Sequence, residues 1–211
     1  GYHTACIGKW HLGMDFGKDG KQIDFTKPVA NGPSANGFDY YYCHNGSLDM
    51  APYVYVENGR VTAVPDRTTV NKDYQGFWRK GKTGADFDHD DVLPNFTRRA
   101  VAHIAKQARR STPFFLYLAL PAPHTPILPT KEFRGKSKTN PYGDFVLQVD
   151  DTVGRVAEAL EKAGVADNTL LIVTADNGCS PRARFEELKE FGHDPSYVFR
   201  GHKADIYEGG H

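Results

Sequence analysis

The sequence predicts an α/β fold around a mostly parallel sheet, and three observations carry that prediction. Phe114 to Leu120 is an unbroken apolar run between Pro113 and Pro121, the signature of a central strand covered on both faces. Val146, Val149, Val153, Val156 and Leu160 then recur at helical spacing, and Gly164 supplies a stop. Leu170 to Thr174 is a second short apolar run, so strand, helix and strand follow one another as in a βαβ unit.

The remaining elements are read around that unit. Thr4 to Trp10 is a strand running into a turn at Gly13 and Gly17, and a loop-rich excursion from the sheet occupies about residues 14–95. Within it, Tyr53 to Glu57 and Arg60 to Val64 flank Asn58-Gly59, a dipeptide suited to a hairpin turn. The segment is too long for a plain connection and fits a functional loop region. Phe96, Ala100, Ile104 and Ala108 share one face of a helix from about Pro94, with Arg98, Arg99, Lys106 and Arg109 as polar cover. Ser111-Thr112-Pro113 ends it, and Pro181 to Ser196 is irregular or partly helical. No internal repeat or domain boundary stands out.

Composition narrows the class. With 211 residues, 39% hydrophobic and 25% charged, the chain can bury the core of one domain and is not of disordered type. Lys plus Arg and Asp plus Glu both total 26, so no net field recommends nucleic acid or an anionic membrane as partner. The longest apolar run falls far short of the roughly 20 residues that span a bilayer, and no leader pattern opens the chain. Cys6, Cys43 and Cys179 form no CxxC pair and read as isolated core or loop thiols. Asn45-Gly46-Ser47 and Asn95-Phe96-Thr97 match the glycosylation pattern, which alone does not establish secretion.

The chemistry-bearing residues gather at predicted strand ends. Lys9 and His11 are two apart, so an extended backbone turns both to one side. His124, in Pro123-His124-Thr125-Pro126, comes after one apolar run, and Asp176-Asn177 after the other, where α/β sheets hold ligands. Carboxylate and amide oxygens suit a hard cation such as calcium. Lys9 and Lys203 can offset an oxyanion, His11 can orient a nucleophile, and His124 can protonate a leaving group. Residue by residue, plainer readings stand beside these: packed or solvated histidines, a surface Lys203, and an Asx or αL turn at Asp176-Asn177-Gly178.

GYHTACIGKWHLG at the start resembles the second signature of the type I sulfatases, within the alkaline-phosphatase-like superfamily. PAPHTP, TADNG and GHKADIYEGGH resemble further segments of that family, in the family's order. The resemblance implies a partial alkaline-phosphatase-like sandwich acting as a sulfuric ester hydrolase. It implies that Lys9 and Lys203 contact sulfate, that His11 supports the formylglycine hydroxyl, and that His124 stands at the leaving oxygen. Asp176 and Asn177 resemble two calcium ligands. A sulfated carbohydrate is the implied partner, with Tyr40, His44 and Asp49 as candidate sugar contacts, and a secreted or periplasmic setting is implied as well.

One departure is specific. The family draws formylglycine from a C/S-x-P/A-x-R segment, and none of Cys6, Cys43 or Cys179 begins one; in Cys179-Ser180-Pro181-Arg182 the spacing is wrong. The expectation is therefore that residues 1–211 are a partial catalytic domain, with the nucleophile segment and an acidic pair upstream and a smaller subdomain downstream. By itself such a chain is expected not to turn over sulfate and to hold calcium weakly. Two other readings remain open: a phosphodiesterase or phosphonate monoester hydrolase of the same superfamily, and a non-catalytic carbohydrate-binding or interaction fragment.

Overall fold

The computed structural model describes residues 1–210. Chain order is β1 (His3–Lys9), β2 (Asp15–Phe16), β3 (Lys18–Asp19), β4 (Gln22–Ile23), β5 (Val29–Ala30), β6 (Tyr40–His44), β7 (Tyr55–Glu57) and β8 (Arg60–Val61). Then come β9 (Pro65–Asn71), β10 (Trp78–Gly84), α1 (Val92–Gln107), β11 (Phe114–Ala119), α2 (Pro141–Lys162) and α3 (Phe185–Glu190). Five strands form the main sheet in the order β11-β1-β6-β7-β8. β1 is parallel to both its neighbours, whereas β7 is antiparallel to both of its own, so every strand but β7 points the same way.

Strand alternation decides which face each side chain joins. Ile7, Tyr42 and Tyr55 lie under α1 and α2, packed with Phe96, Ala100, Ile104, Val156 and Leu160. Cys6, Tyr41, Cys43, Val54 and Val56 point the other way, beneath Trp10, Val29, Phe16, Phe25 and Phe38 from the first connection. The Cys6 and Cys43 sulfurs are 3.6 Å apart on neighbouring strands, both are free thiols, and burial pushes the Cys43 thiol up. The Asn58-Gly59 turn is as predicted, with φ of 44° and 86° carrying the chain from β7 to β8.

Gly8 shows how tightly the central strands are set. Its φ is +126°, and a Cβ there would run into the Ala119 carbonyl on β11. Gly8→Ala is expected to destabilise the protein by more than about 1 kcal/mol, read as a lower denaturant midpoint at unchanged slope. An unchanged midpoint would mean that β1 and β11 are not held this closely.

Several expectations need correction. Leu170 to Thr174 is not a strand: Leu170 is 85% and Ile172 73% exposed, and no described residue pairs with the run. An apolar run becomes a strand only where a neighbour completes its backbone hydrogen bonds, so the expected βαβ unit is not closed. Phe114–Ala119 is likewise not a central strand covered on both faces. β11 is the edge of the described sheet, and Phe115 and Tyr117 are exposed on its second face. Residues 14–95 are not an excursion throughout, because β6, β7 and β8 return to the main sheet.

Of the predicted α2 stripe, Val156 and Leu160 are buried and Val149 packs against the core, but polar residues share the inward face. Phe145, Gln148, Thr152, Val156 and Ala159 face inward, while Val146 is exposed. The polar members are satisfied there: Gln148 Oε1 accepts from the Thr130 amide, and the Thr152 hydroxyl meets that of Thr97. At the start of α2, Asn140 Oδ1 accepts from the amides of Tyr142 and Gly143. Its Nδ2 donates to the Ala183 carbonyl, tying the irregular C-terminal part to the domain. Ala183 and Leu188 then bury against Tyr142 and Phe145.

Candidate active site

β1, β6 and β11 end on the same side of the sheet because they run parallel, so the segments leaving them are brought to one edge. Lys9 closes β1, and the Trp10 and His11 amides donate to the carbonyls of His44, the last residue of β6, and Asn45 just after it. His11 does not continue the strand as the two-residue spacing implied. Its φ is +56°, so it leaves β1 in the left-handed region, and its ring lies against Gly46.

His124 lies beyond the end of β11 and is half-buried. Its Nδ1 is 2.7 Å from the Thr125 carbonyl and 3.5 Å from the Ser47 hydroxyl. A carbonyl can only accept, so Nδ1 carries the proton and Nε2 is left for proton transfer. Burial holds the imidazole below its ordinary pKa, and the charges of Lys203 and Lys9 lower it further. The Thr125 carbonyl and the Asp49 carboxylate act in the opposite direction. His124 therefore lies within electrostatic reach of Lys9, Lys203 and Asp49, residues far apart in the chain.

Backbone bonds place the last segment. The Lys203 amide donates to the Cys179 carbonyl at 3.0 Å, and the Gly178 amide to the Gly210 carbonyl at 3.1 Å. A Cβ on Gly178 would collide with the Gly209 carbonyl, which is why these turns are written in glycine. Asp176 and Asn177 thus directly precede the two residues to which Gly210 and Lys203 are tied. Asp176 is exposed, and Asn177 donates its Nδ2 to the Gly178 carbonyl.

The candidate sugar contacts separate. Tyr40 donates to Glu57 at 2.8 Å and stacks on His103 of α1, on the helix-covered face and not at the strand ends. His44 is fully buried, with its two ring nitrogens near the carbonyls of Val54 and Ser47. Burial depresses its pKa to about 4, against the opposing effect of those carbonyls. Both are packing residues. Asp49 lies 3.2 Å from the Arg79 guanidinium, and its charge acts on His124. Sequence reading missed Ser47 and Arg79, since neither stands in a recognisable spacing with His124.

The chain matches the family model described as Sulfatase over residues 1–211. It belongs to the sulfatase family. Along its whole length this sulfatase chain is 32% identical to an N-acetylgalactosamine-6-O-sulfatase of Bacteroides thetaiotaomicron, covering 47% of that protein. Along 85% of its length it is 33% identical to N-acetylgalactosamine-6-sulfatase of Homo sapiens, covering 31% of that protein. A solved structure from work on the metabolism of multiple glycosaminoglycans by Bacteroides thetaiotaomicron superposes with a TM-score of 0.80 at 30% identity. That match covers 99% of this chain and 50% of the other. The crystal structure of Ps i-CgsB in complex with k-i-k-neocarrahexaose gives 0.64 at 25% identity, over 99% and 43% of the two chains. The sulfatase chain therefore spans half or less of the length of these relatives.

Sulfatases generally use calcium and formylglycine, and the donors can be checked for fit. Asp176 supplies a carboxylate, and Asn177, with its Nδ2 engaged, has its Oδ1 free of any described donor. Both are hard oxygen donors of the kind calcium takes. Among the described residues no group of three or more His, Cys, Asp or Glu gathers to complete a cation site. The pair fits part of a calcium shell. No Cys in the chain stands in a C/S-x-P/A-x-R setting, so none of the three fits as a formylglycine precursor.

Proposed function

We propose that the complete protein hydrolyses a sulfate monoester on a saccharide, and that residues 1–211 supply the lysines, histidines and part of the metal shell. The observation that carries this reading is His124, half-buried and tautomer-fixed, under the opposing influence of two lysines and one carboxylate. Lys9 and Lys203 would bind the ester's sulfate oxygens, an anion that offsets their charge. With that offset, their downward pull on His124 is relieved, so the imidazole takes up a proton more readily when the ester is bound. Nε2 then delivers that proton to the oxygen that leaves, while Nδ1 stays donated to Thr125.

His11, beside Gly46, would orient the nucleophile, and Ser47 would help hold the His124 ring. Asp176 and Asn177 would hold calcium through their side-chain oxygens. When bound, calcium polarises sulfate oxygens, and formylglycine supplies the attacking oxygen. The substrate class is taken from the relatives, whose names specify N-acetylgalactosamine 6-sulfate.

The test is sulfate release by the full-length, formylglycine-processed protein from a 6-sulfated N-acetylgalactosamine saccharide, beside the matching phosphate ester. Faster release of sulfate supports the proposal. Faster release of phosphate would reassign the site to a phosphoester or phosphonate hydrolase, and binding without release of either would make it a carbohydrate-binding protein.

A further inference from the structure

β10 is irregular where it passes the site, because its register with β9 shifts between Trp78 and Gly81. Such bulges re-aim side chains beside active sites, and here the irregular stretch holds Arg79 and Lys80. The Arg79 amide donates to the Asp49 carbonyl at 3.2 Å, and its own carbonyl accepts from the Tyr53 hydroxyl at 2.7 Å. The Tyr53 backbone is also laddered to the same strand, its amide donating to the Lys82 carbonyl and its carbonyl accepting from the Gly84 amide. Gly81 allows the close approach, since a Cβ there would collide with the Ala51 side chain. The hairpin is thereby locked to the 47–53 loop, which carries Ser47 and Asp49.

The Arg79 side chain is 57% exposed, whereas that of Asp49, whose carboxylate pairs with it, is only 15% exposed. Asp49 is the same group whose charge reaches His124. An arginine fixed at both backbone ends and clamped by a largely buried carboxylate has lost most of the freedom that binding would otherwise have to restrict. Lys80 and Lys82 are on the same strand and extend the positive charge along it. In the proposed function the sulfate ester itself is bound by Lys9 and Lys203, which leaves Arg79 for another anion.

We propose that Arg79 contacts a second anionic group of the substrate, a carboxylate or sulfate on the sugar unit next to the one being desulfated. The site is then built for a polyanionic saccharide rather than an isolated sulfate ester. This rests on the saccharide-sulfatase reading. Arginine suits the task because its planar fork meets either anion with two parallel hydrogen bonds.

The full-length protein is assayed on three disaccharides with the same 6-sulfated unit: one with a neutral neighbour, one with a carboxylate-bearing neighbour and one with a second sulfate. For Arg79→Ala, the preference in kcat/KM for the anionic neighbours over the neutral one is expected to fall about tenfold to a hundredfold, the range of hydrogen bonds to charged groups. Arg79→Lys keeps the charge without the fork and should retain part of the preference. Loss on the carboxylate arm alone or the sulfate arm alone identifies the anion recognised. An unchanged preference in a variant with an unchanged melting temperature overturns the proposal, as does a wild-type protein with no preference to lose. If the wild type releases no sulfate at all, the function reading has failed. Calorimetric affinities for the same three disaccharides then decide the Arg79 assignment by the same ratio.

Discussion

Replacing His124 with alanine is expected to lower kcat of the full-length protein by about 10²- to 10⁴-fold, the contribution of a positioned general acid. The imidazole is confined for that role: Nδ1 is spent on the Thr125 carbonyl, so one nitrogen remains to exchange a proton. Lys203→Ala separates electrostatics from simple loss of a side chain. Lys203 lowers the pKa of His124, so removing it should let the free enzyme hold the acid form to higher pH. The alkaline limb of kcat/KM should move upward even as its maximum falls. A His124→Ala enzyme within about threefold of wild type on a sulfate ester with a poor leaving group would remove His124 from the acid role. An alkaline limb that stays put in Lys203→Ala would separate the lysine from that histidine.

Stability should fall steeply in mild acid. His44 is fully buried, and His89 and His103 are each 7% exposed; burial depresses their pKa values to about 4, about 3 and about 4. The sign is set by which state binds protons. In the unfolded chain each titrates near about 6.5, so below that pH the unfolded state takes up protons that the folded state refuses. The stabilisation is complete above about pH 6.5 and is lost as pH falls towards the folded values. Each histidine contributes up to about 1.4 kcal/mol per pH unit in that window. Urea midpoints at pH 7 and pH 5 should differ strongly, and His44→Gln should flatten the difference. Equal midpoints would show that these histidines are protonated in the fold.

The local pattern disclosed elements wherever one residue type answers one local demand. Asn58-Gly59 stands where two positive φ values are needed, and Phe96, Ala100 and Ile104 at i, i+4 and i+8 mark the buried face of α1. Lys9 and His124 stood out as candidates because recognisable segments framed them. The α2 stripe was read in part, with Val156 and Leu160 buried; Gln148 and Thr152 were missed because they are polar by type, yet their hydrogen bonds let them occupy core positions. Tyr40 and His44 were misread for the converse reason. Aromatic and polar residues in a Gly- and Asn-rich stretch suggest a sugar-binding loop, but β6 carries them into the sheet.

By itself, the sequence determined the α/β class, the two long helices and the hairpin, because periodicity and turn chemistry act over a few residues, and it named the candidate lysines, histidines and oxygen donors. Tertiary structure alone decided that Leu170 to Thr174 lacks a strand partner among the described residues, that His11 leaves β1 at positive φ, and that Arg79 pairs with Asp49. These are questions of which backbone lies beside which across tens of residues. A hydrogen-bond ladder, an ion pair and a lysine's pull on a distant imidazole all depend on separation in space, and no local pattern encodes that distance.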